Sequence, residues 1–418
     1  MKTKQTLVPE LRFYNDKGNP YPDWEEKKLG KVARFLKGKG ISKAEVAENG
    51  ATPCVRYGEL YTHYNELITV TKSFTNIDND DLELSQGNDV IIPASGETHI
   101  DIATASCVKE KGIALGGDLN IIRSEQNGVF MAYYMNGSLR INIARLAQGS
   151  SVIHLYATQL KDLNMHLPPL PEQEKIAAFL TSVDDRIDQL KRKKSLLQDY
   201  KKGVMQKLFS QELRFKDDNG KPYPDWEEKK LGEVGETYGG LSGKSGDDFG
   251  EGMPFVTYSQ IFGSSVVDME KCKLVRIEEN ERQNQIKKGD ILFTTSSETR
   301  LEVGFTSVVL DEPNEVYLNS FCFGFRLNNF DTLLTEFARY LFHSSEVRRS
   351  IAVLGQGSTR YNISKKELMK QQLLLPSVSE QTKIANFLST LDQKIEQIDT
   401  QITQTQSFKK GLLQQMFV

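Results

Sequence analysis

The chain contains one long internal repeat. Residues 21–30 recur letter for letter at 223–232, about half of the 418-residue chain further on. A second block, residues 173–203, recurs with changes at 381–411, and the copies share little between the two blocks. A period of half the chain predicts two structural units rather than a solenoid of short repeats.

Composition sets the class of protein that these units can form. With 418 residues, of which 38% are hydrophobic, the chain can build two domains with ordinary cores. The net charge of −3 implies that any DNA-binding surface is local. The four cysteines form no CxxC pair, so neither a zinc site nor a disulfide framework is predicted: Cys54, Cys107, Cys272 and Cys322.

The sequence also bears on the compartment. No apolar run is long enough to cross a bilayer, and Met1–Leu7 lacks the apolar core of a signal peptide. We therefore expect a cytoplasmic protein with no membrane partner.

Both copies end in a long helical pattern. The first runs from Glu172 to Ser210 after a proline-rich stretch, and the second follows Leu375-Pro376. Apolar residues alternate at spacings of four and three, which is typical of a coiled-coil seam, and Lys201 and Lys409 are among the few interruptions. We expect the helices to pair with each other, the alternative being that each lies alone on its own domain. The predicted seam residues are Ile176, Leu180, Val183, Ile187, Leu190, Leu197, Ile384, Leu388, Leu391, Ile395, Ile398 and Ile402.

The remaining sequence predicts mixed α/β (α+β) domains. Strand-like runs lie at 90–92, 119–122, 291–293 and 321–325, and residues 333–354 have helical spacing. The residues after the first helix, 211–215, resemble residues 9–13, so the start of the chain reads as a continuation of its end. We therefore expect two pseudo-two-fold-related domains and an antiparallel coiled coil. The predicted organisation is an N-terminal segment at 1–20 that completes the C-terminal scaffold, a first domain at 21–168, a long helix at 169–210, a second domain at 211–374 and a second long helix at 375–418.

A search for catalytic motifs yields one alternative. The repeated block contains the residue types of a metal-dependent nuclease, but such a site needs carboxylates from separate strands, and here they are nearly adjacent in sequence. A structural role, in which Trp24 and Leu29 anchor the entry into the domain, is favoured. The nuclease candidates are Asp23, Glu25, Lys27, Asp225, Glu227 and Lys229. No other catalytic or metal site is predicted, and the chain is expected to be non-catalytic.

Polar loops that recur at matching places in both copies are the candidate DNA-binding residues. Lysine and arginine neutralise phosphates, while arginine, asparagine, glutamine, serine and threonine can bond phosphates or base edges. In the first copy they are Lys37, Lys39, Ser42, Lys43, Arg56, Tyr57, Ser95, Glu97, Thr98, His99, Ser150, Ser151 and His154. In the second copy they are Lys244, Ser245, Thr257, Tyr258, Thr294, Thr295, Ser296, Ser297, Glu298, Thr299, Arg300, Gln356, Ser358, Thr359, Arg360, Tyr361 and Asn362.

This plan resembles the specificity (S) subunits, HsdS, of type I restriction-modification systems. The resemblance spans essentially the whole chain and rests on residues 167–176 with 375–384, on the run at 356–364, and on 289–293. The first copy departs at 151–155, where the second has Thr359 to Ile363, so its DNA contacts are less closely defined by the resemblance.

The resemblance implies a target recognition domain in each copy, each binding one half of a bipartite asymmetric site in double-stranded DNA. The long helices would set the gap between the half-sites and dock two modification subunits. It also implies two restriction subunits. S-adenosylmethionine would be used by the modification subunits for adenine-N6 methylation, ATP and Mg²⁺ by the restriction subunits, and none of these by this chain. A coiled-coil adaptor that does not bind DNA is a further alternative.

Overall fold

The computed structural model describes residues 8–417 and divides into two compact units. Unit 1 contains the chain up to Lys191 together with the residues from Asp399 onward, and unit 2 is Arg192–Ile398. Each unit contains a mixed α/β domain and parts of both long helices, so the predicted fold class is confirmed. Residues 1–7 of the predicted N-terminal segment and residue 418 of the predicted last helix lie outside the described residues.

Unit 1 is built on two five-stranded sheets. The first has the order β2-β12-β8-β10-β5 and is antiparallel except for the β10·β5 pair, and the second has the order β3-β6-β4-β11-β7. Two-stranded ladders join β1 to β14 and β9 to β13. The strands are β1 Glu25–Lys28, β2 Ala33–Lys37, β3 Val46–Ala47, β4 Thr52–Val55, β5 Leu67–Ile68, β6 Ser73–Thr75, β7 Leu84–Gln86, β8 Asp89–Pro93, β9 Ser95–Gly96, β10 Ser106–Val108, β11 Lys111–Leu115, β12 Leu119–Ser124, β13 Ile153–His154 and β14 Asn164–Leu167. The helices are α1 Leu29–Val32, α2 Gly128–Asn136, α3 Arg140–Leu146, α4 Ala157–Lys161 and α5 Leu170–Phe209.

Unit 2 repeats the central part of this plan. Its main sheet has the order β16-β23-β19-β21, a second sheet has the order β18-β17-β22, and two-stranded ladders join β15 to β25 and β20 to β24. The strands are β15 Glu227–Lys230, β16 Gly235–Gly239, β17 Phe249–Val256, β18 Lys273–Val275, β19 Ile291–Thr294, β20 Ser296–Ser297, β21 Thr306–Val308, β22 Tyr317–Leu318, β23 Cys322–Leu327, β24 Tyr361–Asn362 and β25 Gln372–Leu375. The helices are α6 Leu231–Val234, α7 Tyr258–Gly263, α8 Thr335–Leu341, α9 Ser345–Val353, α10 Lys365–Leu368 and α11 Val378–Met416.

The apolar runs chosen from the sequence form the central strands. Strands β8 and β19 are buried along their whole length, because side chains on both faces of the sheet are covered. The helical spacing at 333–354 corresponds to α8 and α9, so these predictions are confirmed. Helix α5 begins at Leu170, two residues before the predicted start, because a proline is tolerated in the first helical turn, where its missing N–H would have no partner.

The long helices pack antiparallel within each unit. In unit 1 the apolar cluster that contains Ile176 and Val183 of α5 also contains Leu412 and Met416 of α11. In unit 2 a cluster joins Ile384 and Leu388 to Val204 and Leu208 in the same way. Ten of the twelve predicted seam residues are buried, and Leu197 and Ile395 are half-buried. The same clusters include the domain cores, so each helix packs on a domain as well as on the other helix.

The repeated Glu-Gln pair joins each long helix to its surroundings. Glu172 accepts from Arg12 Nε at 3.0 Å and Nη2 at 2.7 Å, and Glu380 accepts from Arg214 at 3.2 and 2.8 Å. The next residue, Gln173, accepts a hydrogen bond from the N–H of Asn127, the residue before α2; its counterpart Gln381 accepts from the N–H of Leu334, the residue before α8. In unit 1 the Leu11 N–H also donates to the carbonyl of Gln415 at 3.0 Å, so the start of the described chain is held against the end of α11.

Candidate nucleic-acid interface

Two of the predicted loops in unit 1 meet in a short ladder. Residues 148–154 form a tight hairpin in which the Gln148 and His154 backbones exchange hydrogen bonds of 2.9 and 2.7 Å. Its strand β13 pairs with β9, which places His154 opposite Ser95. Gly149 has a φ of +127°, and an added Cβ would lie 2.1 Å from the Val152 carbonyl oxygen, so the turn requires glycine. The hairpin therefore has a fixed base and an exposed tip.

Unit 2 builds the same hairpin from different side chains. Gln356 and Asn362 exchange backbone hydrogen bonds of 2.9 and 2.8 Å, and β24 pairs with β20 so that Asn362 lies opposite Ser296. Gly357 has a φ of +130°, and an added Cβ would lie 2.1 Å from the Arg360 carbonyl oxygen. The backbone is thus reproduced, while the tip changes from Ser-Ser-Val at 150–152 to Ser-Thr-Arg at 358–360.

A third loop reaches each hairpin, and sequence reasoning missed it. In unit 1 the backbone carbonyl of Asp118 accepts from the Ala94 N–H at 2.8 Å, and the Ala94 carbonyl accepts from the Leu155 N–H at the hairpin base. In unit 2 the backbone carbonyl of Phe321 accepts from the Thr295 N–H at 2.9 Å, and the Thr295 carbonyl accepts from the Ile363 N–H. Asp118 and Phe321 thus occupy equivalent places. The sequence offers a Gly-Gly-Asp turn at 116–118 and a phenylalanine after Asn-Ser at 319–320, and neither identifies a ligand-binding loop by itself.

The remaining predicted loops line a cleft in each unit. A cleft of about 430 Å³ in unit 1 is lined by Ser42, Arg56 and Tyr57. A cleft of about 790 Å³ in unit 2 is lined by Lys244, Ser245, Thr257, Tyr258 and Phe321. Tyr258 donates its hydroxyl proton to the Ser296 carbonyl at 2.6 Å, and burial raises the pKa of this tyrosine, which keeps the hydroxyl protonated. The cleft and the hairpin of unit 2 are therefore connected.

Exposure divides the predicted residues into three groups. The exposed ones are Lys37, Lys39, Ser42, Lys43, Glu97, Thr98, His99, Ser150, Ser151, His154, Ser245, Glu298, Thr299, Arg300, Gln356, Ser358, Thr359, Arg360 and Asn362. The half-buried ones are Arg56, Tyr57, Lys244, Thr257, Tyr258, Thr295 and Tyr361. The buried ones are Ser95, Thr294, Ser296 and Ser297. Because these last four side chains are enclosed by the protein, we do not assign them contacts with DNA.

Some of the basic residues already have partners. Lys244 forms an ion pair with Glu281, and its side chain is only 4% exposed. Arg300 donates from Nε and Nη2 to the Gly355 carbonyl at 3.3 and 3.2 Å, which holds it along the base of the hairpin. By contrast, four exposed candidates form no ion pair with an acidic side chain of the described residues: Lys37, Lys39, Lys43 and Arg360. They are the better placed of these residues to bind phosphates or bases.

The nuclease candidates do not assemble into a metal site. Lys27 pairs with Glu25 at 2.8 Å, and Asp23 lies 4.0 Å from Arg12. The second copy repeats this arrangement: Lys229 pairs with Glu227 at 3.0 Å, and Asp225 lies 3.5 Å from Arg214. Within residues 8–417 no group of three or more histidine, cysteine, aspartate or glutamate side chains could hold a metal ion.

The same part of the chain has no helix long and apolar enough to span a bilayer.

Comparison with known proteins matches both halves of the sequence to one family. The model of the type I restriction modification DNA specificity domain matches residues 21–198 and again residues 223–405. The chain is 25% identical over 415 residues to the type I restriction enzyme MjaVIII specificity subunit of Methanocaldococcus jannaschii, covering 94% of this chain and 91% of that protein. It is 24% identical over 335 residues to the EcoKI specificity subunit of Escherichia coli K12, covering 77% and 69%.

Solved structures share the fold. The S subunit of a type I restriction-modification system from M. genitalium superposes with a TM-score of 0.57 at 16% identity, over 99% of each chain. A chain from a structure of complex assembly and conformational transition of the type I R-M system gives 0.58 at 19% identity, over 95% of this chain and 98% of that one.

Proposed function

Since the chain belongs to the family of type I restriction modification DNA specificity domains, we propose that it selects the DNA sequence on which a type I restriction-modification complex acts. Each target recognition domain binds one half of a bipartite, asymmetric site in double-stranded DNA. The chain itself is non-catalytic, and its membership of a specificity-domain family supports this part of the proposal.

One observation carries the proposal of two different half-sites. Both units build the same glycine-dependent hairpin on the same ladder, but its tip residues differ in charge and size. A neutral Ser-Ser-Val tip and a Ser-Thr-Arg tip offer different donors to base edges, because arginine can bind guanine through two hydrogen bonds and serine cannot. Two similar frames with different tips are what a protein needs to bind two different short sequences.

The long helices hold the two recognition domains at a set distance, which makes the unread gap part of the site. A helix of 40 residues extends about 60 Å, more than the ~34 Å of one turn of DNA that separates half-sites on the same face of the duplex. The helices also dock two modification subunits, which bring S-adenosylmethionine for adenine-N6 methylation. Two restriction subunits bring ATP- and Mg²⁺-dependent activity. With a net charge of −3, the chain relies on these partners for part of the phosphate contact.

The test is to express the chain with its modification subunit and to map the methylated adenines across a genome by single-molecule sequencing. We expect one bipartite sequence with a constant gap. Exchanging residues 21–168 for those of a relative should change one half of the site, and exchanging residues 211–374 should change the other half. A change in both halves after either exchange would refute the assignment of one domain to one half-site.

The two alternatives predict different results. A nuclease would nick DNA in the presence of Mg²⁺ and lose this activity on Asp23→Ala with Asp225→Ala. We expect no cleavage by the purified chain and an unchanged methylation pattern in the double variant. A coiled-coil adaptor would leave no footprint on DNA when assembled with the modification subunits, whereas we expect protection of both half-sites.

A further inference from the structure

Two lysines that interrupt the apolar seams are only partly exposed to solvent. Lys201 of α5 and Lys409 of α11 occupy equivalent positions in the two copies, and their side chains are 22% and 16% exposed. A lysine is rarely this enclosed unless its charge is paired. Each of them meets an aspartate from the opposite long helix.

The first group, polar cluster 1, lies within unit 1. Lys409 Nζ is 2.8 Å from the Asp184 carboxylate and 3.0 Å from Glu66 Oε2. Tyr133 donates its hydroxyl proton to Asp184 Oδ2 at 2.5 Å, and the lysine ammonium lies 5.2 Å from the Tyr133 ring centre. Asp184 belongs to α5 and Lys409 to α11, so the cluster joins the two helices to each other and to the domain.

Polar cluster 2 repeats this arrangement within unit 2 with the helices exchanged. Lys201 of α5 forms an ion pair with Asp392 of α11, and Tyr340 donates to Asp392 Oδ2 at 2.8 Å. The Lys201 ammonium lies 5.2 Å from the Tyr340 ring centre, the same distance as in polar cluster 1. Arg339 lies 3.1 Å from the same carboxylate and is a second cation for Asp392. In polar cluster 1 the third charged residue is instead Glu66, a second anion for Lys409.

The spacing of the charged residues on the helices is also the same. Asp184 and Lys201 are 17 residues apart on α5 (201 − 184), and Asp392 and Lys409 are 17 residues apart on α11 (409 − 392). One antiparallel alignment therefore satisfies both ion pairs. A slip of one helix along the other separates both pairs at once. A slip of seven residues in one direction, for example, places Asp184 opposite Met416 and Asp392 opposite Leu208.

An apolar seam alone does not choose this alignment. Its pattern repeats with every heptad, so a slip of seven residues brings apolar positions opposite apolar positions again. A buried polar group removes this degeneracy, because it is satisfied in one alignment only. The two clusters are features of the described helices that distinguish the native alignment from its neighbours.

We propose that polar clusters 1 and 2 are the register determinants of the helix pair, and that they thereby fix the length of the gap between the two half-sites. The first half of this proposal concerns the helices alone, and the second half rests on the proposed function. Tyr133, Asp184, Lys201, Tyr340, Asp392 and Lys409 act as positioning residues and make no contact with DNA. Either cluster alone suffices to hold the alignment, since each excludes the slipped arrangements.

The first experiment measures register by distances between spin labels on the two helices of the full chain. Labels at Glu174→Cys and Thr403→Cys, both exposed positions of unit 1, are introduced with Cys272→Ser because the other three cysteines are buried. A slip of one heptad shifts one label along the other helix by about 10 Å. Cluster 1 is removed by Asp184→Leu, Lys409→Leu and Glu66→Gln, and cluster 2 by Asp392→Leu, Lys201→Leu and Arg339→Gln.

We expect either single-cluster variant to keep one narrow distance, and the combined variant to show additional distances displaced by about 10 Å. The matched control, Lys202→Leu with Lys410→Leu, removes two exposed lysines one residue further along the same helices and should keep the native distance. A combined variant that retains the native secondary structure and the single native distance would overturn the proposal.

A second experiment does not depend on the stability of the combined variant. Seven residues inserted after Ser195 lengthen the spacing on α5 only, so the two clusters cannot form together; a second insertion of seven residues after Thr400 restores the match. With the modification subunit present, we expect the matched insertions to methylate a site whose gap is uniformly longer by about three base pairs. The single insertion should give a mixture of gaps or none.

The outcomes separate the two halves of the proposal. If the single insertion gave the same uniform gap as the matched insertions, the clusters would not determine register. If the spin labels reported loss of register in the combined cluster variant while its methylated sites kept one gap, the helices would not set the gap, and that part of the proposed function would fail while the register assignment stood.

Discussion

The same buried ion pair occurs twice in this chain with one difference, which allows its energy to be measured against an internal control. Glu172 and Glu380 are fully buried in the first turns of α5 and α11, and each receives two hydrogen bonds from an arginine. In unit 2 the Trp226 Nε1–H also donates to Glu380 Oε2 at 3.3 Å. In unit 1 the Trp24 Nε1 is buried and has no partner among the described residues.

The perturbation is Arg12→Met in one variant and Arg214→Met in another. Removing one partner of a buried ion pair costs about 3 to 5 kcal/mol, because the other charge stays buried. Each glutamate lies in the first turn of a helix, where the helix dipole stabilises its negative charge by ~0.3 to 1 kcal/mol and so reduces the cost of leaving it unpaired. We therefore expect Arg12→Met to lower the local free energy of unfolding by about 3.5 kcal/mol, within a range of roughly 2 to 5 kcal/mol.

Arg214→Met should cost less, because the hydrogen bond from Trp226 remains in the variant. A hydrogen bond to a charged group contributes about 1.5 to 3 kcal/mol, and the 3.3 Å length favours the lower end. The expected loss is about 2 kcal/mol. The assay is hydrogen exchange by mass spectrometry, which reports opening separately for the peptides that begin α5 and α11. This separation matters because a two-unit chain has no single unfolding free energy.

A matched control tests the cause. Glu172→Gln added to Arg12→Met removes the unpaired charge and should recover most of the lost protection. The reasoning is refuted if Arg12→Met costs less than about 1 kcal/mol, or if Arg214→Met costs as much as Arg12→Met.

Two further predictions concern pH and the hairpin of unit 2. Burial lowers the pKa of His343 below its ordinary value of 6.5, although the hydrogen bond with the Thr306 carbonyl acts in the opposite direction. The unfolded chain therefore binds a proton at His343 more readily than the folded chain does. For this reason unit 2 should lose stability as pH falls below about 6.5. His343→Gln should reduce that pH dependence between pH 8 and 5.5 in urea unfolding followed by the fluorescence of Trp226, with Trp24→Phe in both proteins so that only unit 2 is reported, and an unchanged slope would contradict the assignment. Gly357→Ala forces a Cβ to within 2.1 Å of the Arg360 carbonyl and should abolish methylation while unit 2 stays folded. Gly263→Ala, where an added Cβ meets nothing within 4 Å, should methylate normally; equal activity of the two variants would exclude the hairpin from recognition.

The features that the sequence predicted are those with a long repeat or a clear period. The internal repeat identified two units, and the alternating spacing of four and three identified α5 and α11 and most of their buried residues. Runs such as Val90 to Ile92 identified central strands because both faces of those strands are covered. In each case many residues report the same structure, so local exceptions do not obscure the pattern.

The features that were missed depend on contacts between distant residues. Lys201 and Lys409 interrupt the apolar pattern, and only the fold shows that an aspartate of the other helix lies opposite each of them. Ser296 and Ser297 were predicted to be accessible because they are polar, yet they form a buried ladder with β24. Polarity predicts exposure on average, but a hydroxyl that finds a partner is easily buried.

The division of the chain into units has a consequence for its synthesis. Unit 2 is one continuous segment, Arg192–Ile398, whereas the core of unit 1 needs Leu412, Met416 and Phe417 to cover residues near Trp24. Although domains usually acquire their native state in the order in which they leave the ribosome, here the domain translated second is the first that can be completed. The earlier domain must wait, incompletely covered, until the last turns of α11 emerge. Limited proteolysis of a released chain truncated after residue 398 should therefore cut within residues 21–168 and spare residues 223–375.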